Sequence, residues 1–159
     1  MQRRPFLQLA AATLLAKGAL AQQGTRLVMI VAPENPLQNV ELSVLMRLFG
    51  GDPVSDPSGR SLIPFNHPPR TPDRVLFDQR VLGMGPDEVA KYWIDRKIRA
   101  QPGPPRTATS LRMLLGVVSK LPGAIGYIRP EYLSPEVRAL RVAGKTPESA
   151  GYPLWIGGD

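Results

Sequence analysis

Seven residues near the start, Arg26 to Ala32 (RLVMIVA), limit the fold more than any other stretch. Six apolar residues follow one another with no polar alternation. A half-exposed strand would place a polar residue at every second position, so this run fits a strand covered on both faces. Such a strand needs material above and below it, and helices packed on a central sheet provide that. Pro33 to Pro36 (PENP) ends the run sharply.

The remaining elements can be read in order. Val40 to Phe49 has apolar residues at Val40, Val44, Leu45, Leu48 and Phe49, one face of a helix. Asn39 is placed to cap it, and Gly50-Gly51 to supply a left-handed exit. After the turn-rich loop Asp52 to Arg60, Ser61 to Phe65 reads as a short strand, with Pro64 favouring a sheet edge. Thr71 to Leu82 and Pro86 to Ile98 read as two helices. The second has acids in its first turn and bases in its last, and Val89, Tyr92, Trp93 and Ile98 as its inward face. A rigid loop, Ala100 to Arg106, leads to a helix capped by Thr107 or Thr109 and running to about Lys120. Ala124 to Ile128 (AIGYI) is a strand, and Val137 to Val142 alternates as a half-exposed one with solvated arginines. In the tail, Tyr152, Leu154 and Trp155 are available to dock on the body. The order β-α-β-α-α-α-β-β implies a single three-layer α/β domain, a central mixed sheet flanked by helices.

Residues 1 to 21 stand apart. Arg3 and Arg4 precede an apolar run, Phe6 to Ala16, and Ala19-Leu20-Ala21 offers a small-x-small cleavage site. This is a signal-peptide pattern, with cleavage expected after Ala21 and a periplasmic or otherwise exported destination. The run is too short to span a bilayer. The paired arginines fit a twin-arginine signal or an ordinary charged n-region. The domain expected to remain is 22–159.

The whole chain of 159 residues carries a formal charge of +7. Removal of Arg3, Arg4 and Lys17 with the signal leaves 17 basic against 13 acidic residues, a mild excess. Those bases are scattered and not interleaved with aromatics, which argues against nucleic acid and leaves a weak general pull on anions. There is no cysteine, so disulfides, thiolate metal sites and thiol nucleophiles are excluded. With one histidine and no cluster at ligand spacing, no metal and no cofactor are expected. Neither G-x-x-x-x-G-K-[ST] nor G-x-G-x-x-G occurs, which removes support for nucleotide chemistry.

Phe65 to Phe77 (FNHPPRTPDRVLF) is the densest candidate site. Thr71 sits at a helix N-cap and Pro72 at the first helical position. First-turn N–H groups are open and carry the positive end of the helix dipole, so an anion would meet oriented donors, the Thr71 hydroxyl and the guanidinium of Arg70 or Arg74. A plain helix cap explains the same residues. Pro72 also removes one donor, and Asp73 puts a carboxylate where the anion would sit. His67 lacks a nucleophile and an orienting acid, so a loop-anchoring role competes with a general base. Tyr92 and Trp93 fit core packing or stacking on a ligand.

Three segments carry a resemblance. The first, VAPENPLQNVELSVLMRLFGG, is similar to the strand, N-P and F-x-G helix end of phosphate-binding proteins of ABC transporters. LIPFNHPPRTPDRVLFDQRVLG resembles their next strand and helix, and LRMLLGVVSKLPGAIGYI a later pair containing P-G-A-I-G-Y. They fall in the same order over about residues 27 to 130. The resemblance implies one lobe of a type 2 periplasmic binding protein, non-enzymatic, that recognises a small inorganic oxyanion such as phosphate. It also implies an ABC transporter or sensor as membrane partner. Thr71 falls at the hydroxyl-bearing position of the family's serine-glycine-threonine anion motif, whose glycine is absent here. The implied ligand set is Thr71 with Arg70, Asp73 and Arg74, and Asn66 and His67 at the rim. An interaction module that keeps the fold and has lost the ligand is the alternative.

Overall fold

A computed structural model describes residues 24–157; the expected signal segment, 1–21, lies outside the described residues. The apolar run forms a strand as its composition requires. Val28–Val31 is buried throughout, with Val28 and Ile30 on one face and Met29 and Val31 on the other. In chain order the strands are β1 (Thr25–Arg26), β2 (Val28–Val31), β3 (Asn39–Val40), β4 (Ile63–Asn66), β5 (Arg106–Thr107), β6 (Ala124–Ile128), β7 (Arg138–Ala139), β8 (Arg141–Val142) and β9 (Trp155–Ile156). Five of them make the central sheet in the order β5-β4-β6-β2-β7. It is mixed: β4 runs parallel to β5 and β6, while β2 is antiparallel to β6 and β7. Two small pairs flank it, β1 with β9 and β3 with β8.

Helices cover both faces. Helix α1 (Leu42–Phe49) and α2 (Pro72–Phe77), which continues through a π-helical turn over Asp78–Leu82, pack on one side. Leu45, Phe49, Phe77 and Val81 meet Met29, Val31, Ile125 and Tyr127 there. On the other side α4 (Leu111–Lys120) sets Leu114 and Val118 against Val28, Ile30, Phe65 and Ile128. The approach is close: a Cβ at Gly126 would stand 2.9 Å from Leu114 Cδ1. Each face is thus an apolar layer that the alternating side chains of β2 and β6 feed from opposite sides. The three-layer α/β reading holds.

Several local expectations change. Helix α1 starts after Glu41 and not after Asn39, because Asn39 and Val40 are drawn into the parallel pairing with β8. Asn39 instead accepts from the Gly144 N–H at 2.7 Å. Gly51, at φ 97°, does make the left-handed exit. Pro64 is not on an edge strand: β4 lies inside the sheet, and its proline precedes the two residues that β5 pairs. Helix α4 is capped by Ser110, whose Oγ accepts from the Met113 N–H at 3.1 Å, and not by Thr107 or Thr109. Val137 to Val142 is two strands in different sheets, divided at the buried Leu140. Arg138 is no solvated side chain, since its guanidinium reaches the carbonyls of Asn35 at 2.6 Å and Leu37 at 2.7 Å.

Helix α3 (Pro86–Ile98) keeps its predicted bounds but joins neither apolar layer. Val89 is its one buried residue, and Ile98, expected to face inward, is 78% exposed. The tail docks as expected, with Tyr152 and Leu154 buried and Trp155 stacked under Arg26 at 4.4 Å. Among the described residues no helix is long and apolar enough to cross a membrane.

Candidate functional site

Strand β4 carries Asn66 to its carboxyl end, where the chain turns through His67–Thr71 into α2. Asn66 is buried, and its Oδ1 accepts from the Tyr127 hydroxyl at 2.6 Å. His67 Nε2 lies 2.8 Å from the Tyr127 carbonyl, which can only accept, so that nitrogen carries the hydrogen. Both side chains therefore fasten β4 to β6. Arg70 has φ 65°, a conformation that tight turns impose on a few non-glycine residues. Its guanidinium meets Asp87 of α3 at 2.7 Å, with 68% and 82% of the two side chains exposed. A pair so open to water contributes at most about 1 kcal/mol and exchanges easily.

Thr71 occupies the N-cap of α2, yet its hydroxyl donates back to the Pro68 carbonyl at 2.8 Å and makes no bond to the first turn. Asp73 Oδ1 accepts from Arg129 at 2.8 Å and 2.6 Å, and this bond pushes the Arg129 guanidinium further above its ordinary value. Arg74 points inward. Its Nε meets Asp78 Oδ2 at 2.5 Å and its Nη1 donates to the His67 carbonyl at 3.1 Å, the Arg74 and Asp78 side chains both being buried. Burial pushes the Asp78 carboxyl up, against the pull of Arg74.

The structure thus brings all six expected residues to one turn and its helix. It also gives every one of their side chains an internal partner. Three of those partners went unread in the sequence: Asp78, Asp87 and Arg129. The Arg74–Asp78 pair had a signal, the i, i+4 spacing of opposite charges on one helix. Arg129 directly follows the Ala124–Ile128 strand, and only the parallel pairing of β6 with β4 sets it opposite α2. Nothing local marks Asp87.

Beside this turn, α2, α3 and the loop before β5 enclose a cleft of about 230 Å³. Pro69, Val75, Pro86, Val89, Ala90, Pro104 and Pro105 make most of its wall, with Arg74, Asp78 and Trp93 among the lining. Tyr92 is not available for stacking on a ligand: its hydroxyl donates to the Gly50 carbonyl at 2.6 Å and it pins α3 to the end of α1. No group of three or more acidic or imidazole side chains that could hold a metal occurs among the described residues.

No protein-family model matches the chain, and no curated protein matches it. Solved structures do. An ABC-type phosphate transport receptor from Vibrio cholerae superposes with a TM-score of 0.68 at 17% identity, over 84% of this chain and 55% of that one. PstS from Borrelia burgdorferi gives 0.62 at 17% identity, over 84% and 55%. A substrate-binding protein with bound phosphate from Clostridium perfringens gives 0.60 at 16% identity, over 79% and 48%. The chain spans about half the length of these proteins. At such identity the likeness is one of fold, and it is specific: this chain has the α/β fold of phosphate-transport receptors, in a single-lobe portion of their length.

Proposed function

We propose that this chain is an exported, non-enzymatic recognition protein that takes a small oxyanion, phosphate first, at the opening of α2. One observation carries the reading. Arg70 stands beside the first turn of that helix, held only by an exposed bond to Asp87 that an anion could replace. The N–H groups of Asp73 and Arg74 belong to that turn and supply oriented donors. The shared fold adds support, since one of the solved structures holds phosphate.

The local balance predicts weak binding. Arg70, Arg74 and Arg129 are each matched by a carboxylate, Asp87, Asp78 and Asp73, so no cation is left over to attract the ligand. Contacts at Arg70 form in water, where charge-assisted bonds lose most of their strength. A dissociation constant of about 1 mM or weaker is expected. Calorimetry with phosphate and with sulfate, at low and moderate salt, tests this. Saturable heat that falls with salt and is lost in Arg70→Gln and in Thr71→Ala supports the reading.

The same closed set of internal bonds favours a second reading, an interaction module of this fold that docks on an ABC transporter, a sensor or another extracytoplasmic partner and binds no anion. Absence of heat with either oxyanion, from protein shown to be folded, leaves that reading in place.

A further inference from the structure

Three ion pairs hold the arginines of the candidate site, and they differ in how far water reaches them. Arg74–Asp78 is buried. In Arg129–Asp73 the carboxylate is 17% exposed and accepts from two guanidinium nitrogens. Exchange of either pair would strand a buried or half-buried charge. Arg70–Asp87 is the exception, open on both sides and joined by a single bond from Arg70 Nη2 to Asp87 Oδ1 at 2.7 Å.

Both residues stand on fixed backbone. Thr71 returns two bonds to the Pro68 carbonyl, from its N–H at 3.3 Å and its hydroxyl at 2.8 Å, and the prolines of that turn have their φ set by the ring. On α3, Pro86 opens the helix and Glu88 Oε2 accepts from the Gly85 N–H at 2.8 Å. The backbone therefore keeps the two residues in place while their side chains are free to part. A carboxylate and an oxyanion offer a guanidinium the same kind of acceptor. Asp87 thus meets Arg70 as phosphate would, and the two cannot share it without bringing negative charges together.

We propose that Asp87 is an internal competitor for the ligand, an acidic side chain of α3 that holds Arg70 until an oxyanion displaces it and so sets the affinity of the site. This rests on the oxyanion reading above and adds the residue that opposes binding. Linkage makes the effect reciprocal. An anion on Arg70 frees the first turn of α3, and anything that draws that turn away strengthens anion binding.

Titration of the folded chain with inorganic phosphate at constant ionic strength, followed by amide resonances, tests this. Asp87→Asn removes the competing charge, and at so exposed a position it should leave the fold unchanged. It should tighten phosphate binding about threefold to fivefold, the range an open ion pair accounts for. Glu88→Gln loses the same charge one residue away and keeps an oxygen for the Gly85 N–H, so it should change the affinity by less than about twofold. In the unaltered chain the Asp87 amide should move with the same phosphate midpoint as the Arg70 amide, since one event releases both side chains. Saturable binding that is no tighter in Asp87→Asn overturns the competitor and leaves the anion reading standing. Equal tightening in Glu88→Gln also overturns it, by reducing Asp87 to a share of the general field. No saturable shift in either the unaltered chain or Asp87→Asn overturns both.

Discussion

Arg74 shows how a residue's role changes once its neighbours are known. In the sequence it is one of two arginines at the opening of a helix, which makes it a candidate anion donor. In the fold it turns toward the sheet, because β4 and β6 leave the His67 carbonyl in reach and Asp78 lies one helical turn on. A buried pair of this kind stabilises little by itself, since each charge has lost its water. Removing one partner is another matter. Asp78→Ala would strand a guanidinium among apolar side chains and should cost about 3–5 kcal/mol in urea unfolding. Arg74→Met combined with Asp78→Leu should recover most of that loss. If Asp78→Ala unfolds at the wild-type urea concentration, Arg74 is not held as described. That the six candidate residues lie together is legible from FNHPPRTPDRVLF, because one short stretch carries them from the end of β4 through the turn into α2. Their partners are not, since Asp87 and Arg129 reach the turn only through tertiary packing.

Elements with a strong period were readable, while those defined by a few hydrogen bonds were not. β2, β6, α3 and the course of α2 follow the sequence, for their apolar spacing or their proline and glycine punctuation fixes them. Two-residue strands carry no period, so in the sequence β3, β5 and β8 read as parts of a helix, a loop and a longer strand. The start of α4 illustrates the limit. Thr107, Thr109 and Ser110 all have the chemistry of a cap; the pairing of Arg106 and Thr107 with β4 removes Thr107, and Ser110 is the one whose Oγ accepts from the first turn, at Met113 N–H. Ser110→Ala should therefore lower stability by about 1 kcal/mol. Thr107→Ala and Thr109→Ala, on the exposed surface, should stay within about 0.5 kcal/mol of wild type. Comparison of the three urea midpoints checks this, and an equal loss at Thr109 would move the cap.

Across the whole molecule, the face of the sheet toward α1 and α2 sets two tyrosines among mostly aliphatic side chains. Tyr127 stacks on Phe77 at 3.8 Å between ring centres, and Tyr152 brings the tail onto the same layer. The closure of the domain by β1 and β9 depends on that tail; Tyr152, Leu154 and Trp155 mark its docking in the sequence, while nothing there marks the strand pair. Burial pushes both phenols well above their ordinary value. The unfolded chain releases those protons near pH 10, while the folded chain keeps them to a higher pH. A group raised on folding contributes stability that is complete below the unfolded value and disappears as pH climbs past it. Stability should thus decline above about pH 10, each phenol adding about 1.4 kcal/mol per pH unit to the slope. Tyr152→Phe should remove one phenol's share and leave the neutral-pH fold in place. Urea midpoints measured on both sides of pH 10 decide it: a slope unchanged by Tyr152→Phe would show that the tail releases from the core before its phenol ionises.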